Sequence, residues 1–93
     1  RDGRGDNRNA PVVVSYTLGA DATTSVRVLS ANGREVFAVT RGRADKAGQN
    51  SVTWNLRDNA NRAVAPGTYQ VEILAESDGG ERVRRYVPVT VTR

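Results

Sequence analysis

The sequence of 93 residues contains neither cysteine nor histidine. Without Cys there can be no disulfide framework and no thiolate metal site. Without His the chain lacks the commonest general base and the commonest transition-metal ligand. No apolar run approaches the roughly 20 residues of a membrane-spanning helix. We therefore expect a chain that is not an enzyme, that holds no cofactor or metal and that has no membrane span.

Positive charge is in modest excess and comes almost entirely from arginine. The net charge is +4, and Lys46 is the single lysine among 14 basic residues. Most of the Arg residues are scattered and have acidic neighbours; the dense basic cluster is Arg82, Arg84 and Arg85. Such a balance aids solubility and permits weak binding to polyanions, but it predicts no specific nucleic-acid partner.

The first ten residues differ in composition from the rest. Residues 1–10 hold one apolar side chain, which predicts a flexible linker or tail, and residues 11–93 are predicted to form one domain. Arg4-Gly5-Asp6 matches the integrin-recognition tripeptide, which a segment rich in these three residue types produces by composition alone.

Short segments of alternating apolar and polar residues recur from Val12 onward, with turn signals between them. Strands are predicted at residues 12–18, 26–29, 35–40, 52–56, 69–76 and 82–91, and residues 41–49 are predicted to be a polar loop. Pro88 lacks an N–H donor, so the last segment is expected to be an edge strand or to split there. The prediction is an all-β protein, an immunoglobulin-like antiparallel β-sandwich of about seven strands; a small closed barrel is the alternative.

Turn-forming residues are predicted from their tolerance of special backbone geometry. Asn32-Gly33 lies between two alternating segments, which is the strongest short hairpin signal because both residues accept positive φ. A longer connection contains Asp58, Asn61, Pro66 and Gly67. Its Asx side chains could supply oxygen ligands to Ca²⁺, but with one carboxylate among them we expect them to bind backbone amides instead.

Three aromatic residues share the inward parity of their strands and are predicted to anchor the core: Tyr16, Trp54 and Tyr69. For Trp54 and Tyr69 the alternative role is an aromatic platform for sugar stacking. In the last segment, Arg82, Arg84, Tyr86 and Pro88 share the outward parity and form a candidate interaction edge. Such a basic edge also blocks unwanted strand pairing, and for the Arg cluster we favour this protective role over recognition. Arg85 interrupts the inward Val residues there, so either a bulge resets the register or Arg85 lies at the sheet margin.

The order of several short motifs resembles the FlgD-like Ig domain, a family named for the flagellar hook-capping protein. The motifs are Val-x-Tyr-x-Leu at 14–18, Asn-Gly-Arg-Glu-Val at 32–36, Val-x-Trp-Asn at 52–55 and Arg-x-Val-x-Pro-Gly-x-Tyr at 62–69. The family commonly has Asp-Gly after the Trp and a Gly in the following turn, where this chain has Asn55-Leu56 and Asn61. Gly67-Thr68-Tyr69 and the basic final strand also resemble sorting domains of type IX secretion substrates.

The resemblance implies a rigid spacer, cap or docking module of a larger bacterial surface, secreted or flagellar-type protein, located outside the cell or on its surface. Its partners would be other domains of the parent protein and neighbouring subunits that contact its edge strands. Two alternatives stay open: a sorting domain read by secretion machinery, and a carbohydrate-binding module.

Overall fold

The computed structural model describes residues 11–92, and within that range the regular structure consists of β-strands. The six strands are β1 (Val12–Leu18), β2 (Ala22–Leu29), β3 (Glu35–Asp45), β4 (Gly48–Trp54), β5 (Gly67–Ser77) and β6 (Arg82–Val91). The predicted tail at residues 1–10 and the tripeptide within it lie outside the described residues. Residues 11–92 include no helix long and apolar enough to cross a membrane.

The strands form two antiparallel sheets that enclose one core. The larger sheet has the order β3-β2-β5-β6, and the smaller sheet pairs β1 with β4. This architecture confirms the predicted immunoglobulin-like sandwich. Its strands number six because β6 continues through Pro88 without a break or a shift in register against β5. Arg85 therefore stays in register opposite Ile73, and no bulge separates it from its neighbours.

The core lies between the sheets and consists mainly of β-branched residues at alternate strand positions. Its buried members are Val14, Val26, Val28, Val52, Trp54, Leu56, Val64, Val71, Ile73 and Val91. Alternation places one face of each strand inward, and Val and Ile pack well on a pleated surface. The smaller sheet has two strands and the larger sheet has four, so the smaller sheet does not cover the whole inner face of the larger one. The uncovered part lies at β6, where Val83 is 45% exposed.

The prediction of a polar loop at residues 41–49 is wrong. Strand β3 continues to Asp45, and β4 already begins at Gly48. The segment lacks the apolar alternation that marks a half-buried strand, because its inward position at Asp45 is polar and is satisfied by polar neighbours. Backbone pairing of Ala22 with Asp45 and of Thr24 with Arg43 completes the ladder.

The hairpin between β2 and β3 forms at the predicted position with a different turn. Gly33 has φ 85°, whereas Asn32 keeps a negative φ. The N–H of Gly33 donates to the Ser30 carbonyl at 2.9 Å, and the N–H of Ser30 donates to the Arg34 carbonyl at 2.8 Å. These bonds define a three-residue loop with a glycine bulge, which needs positive φ at one position, whereas the type I′ turn favoured by Asn-Gly needs it at two.

Candidate functional site

The connection between β4 and β5 folds into a compact loop on the end of the sandwich. Leu56 and Asn61 have φ values of 63° and 64°, which side-chain-bearing residues seldom adopt. Both occupy places where the family commonly has Gly. Leu56 is buried in the core despite this backbone conformation, and the N–H of Val64 donates to the Leu56 carbonyl at 3.0 Å. Burial of the leucine side chain thus offsets the strain of its backbone.

Asp58 organises the tip of this loop. Its Oδ1 accepts the N–H of Ala60 and the N–H of Arg62, each at 2.9 Å. The Arg62 amide is the main reason that the pKa of Asp58 lies below its ordinary value. The predicted alternative was a calcium ligand, and the carboxylate instead binds backbone amides in an Asx turn. Residues 11–92 contain no cluster of three or more acidic, His or Cys side chains that would hold a metal.

Trp54 and Tyr69 meet under the loop. Their ring centroids are 5.6 Å apart with an interplanar angle of 69°, an edge-to-face contact. The indole Nε1 of Trp54 donates to the Arg57 carbonyl at 2.9 Å, and the Tyr69 hydroxyl donates to the Ala65 carbonyl at 2.5 Å. A tyrosine at the start of a strand that binds backbone a few residues upstream is a tyrosine corner, a feature of immunoglobulin-like sandwiches. Trp54 is 1% exposed, so its face is not available for sugar stacking.

Tyr16 is half-buried and belongs to a polar cluster at one margin of the core. Asp45, which is 7% exposed, accepts hydrogen bonds at Oδ2 from the Tyr16 hydroxyl at 2.5 Å and the Thr24 hydroxyl at 2.6 Å. Arg43 Nε donates to Asp45 Oδ1 at 2.7 Å. Burial alone would raise the pKa of Asp45, but the bonds from Arg43, Thr24 and Tyr16 outweigh it and lower the pKa to about 2. The cluster joins β1, β2 and β3.

Arg43 also links the cluster to the smaller sheet. Its guanidinium donates to the Tyr16 hydroxyl at 3.1 Å and to the Ser51 carbonyl on β4 at 3.2 Å. A hydrogen bond from a charged group to a strand carbonyl occupies an acceptor that another strand would need. The polar cluster therefore both joins the two sheets and occupies part of the edge of β4.

The outer edge of β3 is closed by a residue of the β4–β5 loop. The N–H of Asn59 donates to the Val36 carbonyl at 2.9 Å, and the Asn59 side-chain oxygen accepts the N–H of Ala38 at 3.1 Å. Asn59 Nδ2 donates to Glu35 Oε2 at 3.1 Å. One asparagine thus satisfies a donor and an acceptor that an edge strand would otherwise present, and register shifts along β3 disrupt that edge further.

A shallow depression of about 850 Å³ lies between this loop and the β2–β3 turn. Asn32, Asp58, Asn59 and Tyr69 are among the residues that line it. Asp58 and Asn59 are already engaged in holding the loop, and the Tyr69 hydroxyl binds backbone. These polar groups therefore stabilise the scaffold, and none of them points to a particular ligand.

Strand β6 forms the opposite edge of the larger sheet. The N–H of Ser77 bonds to the Glu81 carbonyl at 2.9 Å in the preceding turn, which sets the alternation of bonded pairs along the β5–β6 ladder. Odd-numbered residues of β6 then bond to β5, and the backbone groups of Arg82, Arg84, Tyr86 and Pro88 face outward. Pro88 consequently lacks an N–H at a position where the ladder with β5 needs none.

The outer face of the larger sheet carries an ion-pair network that joins β2, β5 and β6. Its centre is Glu72 on β5, which is buried beneath its partners. Arg27 Nε lies 2.6 Å from Glu72 Oε1, Arg84 Nε lies 3.6 Å from Oε2, and the Tyr86 hydroxyl donates to Oε2 at 3.0 Å. The bond from Arg27 is the largest cause of a lowered pKa at Glu72. Arg82 pairs with Glu76 at 3.5 Å. Tyr86 itself remains 52% exposed.

The predicted turn residues Asn32, Gly33, Asp58, Asn61 and Pro66 lie in connections between strands, and Gly67 is the first residue of β5. The predicted edge residues Arg82, Arg84, Tyr86 and Pro88 lie on β6. Sequence reasoning did not find the edge-closing role of Asn59, nor the cluster around Asp45. Thr24 was a signal for that cluster, since it shares the inward parity of Val26 and Val28 and a buried hydroxyl requires a partner.

Two antiparallel sheets, a tyrosine corner and a polar loop over the end of the core define an immunoglobulin-like β-sandwich module. The chain belongs to the FlgD Ig-like domain family, whose model matches residues 3–79. Strand β6 lies beyond the end of that match. Among curated proteins, no significant match to the sequence is found.

Similar folds occur in solved structures of hook-capping proteins. The chain superimposes on FlgD from P. aeruginosa with a TM-score of 0.72 and 25% identity, covering 87% of this chain and 64% of that one. FlgD from Xanthomonas campestris, described as essential for flagellar assembly through hook capping, gives a TM-score of 0.71 and 18% identity, with coverage of 89% and 59%. The chain thus spans less than two thirds of the length of either protein.

A third structure shares the fold alone. CopC from Methylosinus trichosporium OB3b gives a TM-score of 0.54 and 23% identity, covering 84% of this chain and 72% of that one. The sandwich architecture therefore extends beyond hook-capping proteins, and the assignment to the FlgD Ig-like family rests on the sequence match.

Proposed function

We propose that this chain is a non-catalytic assembly module of a larger bacterial surface, secreted or flagellar-type protein, and that it acts outside the cell as a rigid docking domain. The observation that carries the proposal is a difference in backbone hydrogen bonding between the two edge strands of the larger sheet. Asn59 occupies backbone groups of β3, whereas the outward groups of β6 pair with no other segment of residues 11–92. An unpaired strand edge is a surface to which another chain can add.

The hydrogen bonds that the buried and loop carboxylates already accept support a role without catalysis. Asp45, Asp58 and Glu72 each accept several hydrogen bonds that hold separate parts of the sandwich together. Low pKa values at these carboxyls keep them ionised at neutral pH, which suits fixed structural acceptors. A general acid or base would need a pKa closer to the working pH.

The family relationship supports the assembly part of the proposal. The Xanthomonas campestris relative is described in terms of hook capping and flagellar assembly. A carbohydrate-binding module would need exposed, coplanar aromatic rings, and the edge-to-face pair of Trp54 and Tyr69 does not provide them. Retention of the 93-residue chain on an insoluble polysaccharide would favour that alternative.

The decisive experiment is a replacement of this domain within its parent protein. In the native host, residues 11–92 are exchanged for an unrelated immunoglobulin-like sandwich of similar length, and assembly of the parent is followed by electron microscopy and cross-linking. A docking domain predicts that assembly is lost although the parent is produced and exported. Normal assembly with the unrelated sandwich would reduce the role to that of a spacer, and normal assembly after simple deletion would overturn the proposal.

A further inference from the structure

We propose that the segment Arg82–Tyr86 of β6 accepts an extended acidic peptide segment, which adds to the larger sheet as a fifth strand and ends at Pro88. The inference rests on the proposed docking function and names the surface and the chemistry of the partner. Three features of β6 define that chemistry: the outward backbone groups, the distribution of charge, and the incomplete cover of its inner face.

The backbone of β6 sets the length of the partner segment. Arg82, Arg84 and Tyr86 each direct an N–H and a carbonyl toward the open edge, as the alternation set by the Ser77 bond requires. Pro88 offers no donor at the next outward position. A partner strand can therefore form consecutive ladder bonds over about five residues before the proline ends the pairing.

The charge on β6 selects an acidic partner and opposes a second copy of this chain. Arg82 and Arg84 lie on the outer face; each is paired with a carboxylate of β5 but keeps more than half of its side chain exposed. Arg85 lies on the inner parity, is exposed and forms no ion pair with any described residue. Two copies of β6 paired antiparallel about Arg84 would place guanidinium groups opposite one another, and like charges in directly opposed positions destabilise a sheet. An acidic strand places opposite charges in those same positions.

The inner face of β6 provides apolar contacts for the same segment. Val83 is 45% exposed beside Arg85, and Val87 is partly buried. The smaller sheet has two strands, so it does not cover this margin. A partner that alternates acidic and small apolar residues would pair with the Arg side chains and would also cover Val83. By contrast, β1 is an uncharged strand, so its edge offers no preference for an acidic segment.

The test uses the 93-residue chain and a short peptide that alternates Glu and Val, with a Lys–Val peptide as its counterpart. Backbone amide resonances are followed by NMR during titration. We expect the Glu–Val peptide to shift and protect the amides of Arg82, Arg84 and Tyr86, and the Lys–Val peptide to bind at least about tenfold more weakly because charge repulsion replaces attraction.

Two proline variants of the same strand form a matched pair. Tyr86→Pro removes an outward N–H within the proposed segment and is expected to weaken binding about tenfold, the effect of losing one ladder bond. Thr90→Pro removes an outward N–H beyond Pro88 and is expected to leave affinity unchanged. Tyr86→Phe corrects for loss of the hydroxyl contact with Glu72.

A chemical variant of the peptide makes the test independent of protein folding. Peptides N-methylated either at every Glu or at every Val lose the donors on one edge of the strand. Strand addition requires one of these two peptides to bind as the unmodified one does and the other to fail. Binding of both would show electrostatic attraction without strand pairing and would overturn the proposal, as would shifts that map to β1.

Two further outcomes are also decisive. Concentration-dependent dimers in sedimentation that are blocked by Tyr86→Pro would make a second copy the occupant and would refute the acidic partner. If no peptide binds while domain replacement still abolishes assembly of the parent, docking uses a surface other than β6. In that case the proposed function stands and this inference falls.

Discussion

Asp45 offers the most direct test of how the polar cluster stabilises the fold. Its pKa of about 2 in the folded protein compares with an ordinary value of 3.8. At about 1.36 kcal/mol for each pH unit, that difference corresponds to roughly 2 kcal/mol of folding free energy when the carboxyl is ionised. Because the carboxyl is almost fully buried, little of this is lost to solvent screening.

The sign of the pH dependence follows from the direction of the shift. A carboxyl whose pKa is lowered by folding stabilises the native state above its unfolded pKa, and the contribution disappears as the pH falls through the folded pKa. For Asp45 the stabilisation is therefore complete above about pH 5 and is lost progressively down to about pH 2. Glu72 and Asp58 also have lowered pKa values, so the pH profile of the wild type alone reports all three groups.

The variant Asp45→Asn isolates the contribution of Asp45. It keeps the side-chain volume and an acceptor but removes the charge, and Glu72 and Asp58 contribute equally to both proteins. Urea unfolding at neutral pH should show a loss of about 2 kcal/mol, a midpoint shift of about 2 M for a domain of this size. The difference from the wild type should shrink as the pH falls toward 2, where protonated Asp45 resembles Asn. Asp78→Asn, in the exposed β5–β6 turn, is the control and should change little.

A constant difference between wild type and Asp45→Asn from pH 7 to about pH 2 would refute the reasoning, because the loss would then come from packing or geometry and not from ionisation. A difference below about 0.5 kcal/mol at neutral pH would equally contradict it. Arg43→Leu should also lower the free energy of unfolding, since it leaves the buried carboxylate of Asp45 without its charged partner.

Substitutions at three other positions have defined expectations in thermal or urea unfolding. Asn61→Gly should be neutral within a few tenths of a kcal/mol, whereas Asn61→Ala should cost about 1 kcal/mol, because φ is 64° there; equal effects would contradict the assigned backbone strain. Tyr69→Phe should cost about 1 kcal/mol through loss of the hydroxyl bond to Ala65, and no change would exclude a stabilising tyrosine corner. Trp54→Ala should cost at least about 3 kcal/mol, and tryptophan fluorescence of the wild type should resist aqueous quenchers, as a side chain that is 1% exposed requires.

The fold could be predicted from the sequence where burial follows a period of two. Val26 and Val28 in β2, and Val71 and Ile73 in β5, alternate with polar residues, and all four are buried in the observed core. Turn residues marked the ends of these strands because Gly33 meets a backbone requirement that is local. The family could be recognised for the same reason, since its motifs combine strand periodicity with turn chemistry.

Prediction from the sequence failed where polar residues occupy inward positions or where segments distant in the chain come into contact. Asp45 is not found by a search for apolar alternation, because its burial is made favourable by polar partners: Arg43, and Thr24 and Tyr16, which lie 21 and 29 positions away in the chain. Asn59 closes the edge of β3 from a loop that is 21 positions beyond Ala38. Neither contact has a local signature, so only the three-dimensional arrangement reveals them.

The two edges of the larger sheet show different solutions to the same physical problem. At β3 the solution is occupation of part of the edge: Asn59 binds the Val36 carbonyl and the Ala38 N–H, and shifts in register disturb the strand further. At β6 the solution is selection: Arg84 and its basic neighbours oppose pairing with another basic strand, and Pro88 limits the length of any pairing. Occupation removes these two groups from any partner, whereas selection by charge and length leaves the edge open to one class of partner. Charged side chains and proline also protect an edge strand against aggregation, so the titration with the Glu–Val peptide is the measurement that separates a docking edge from a protected one.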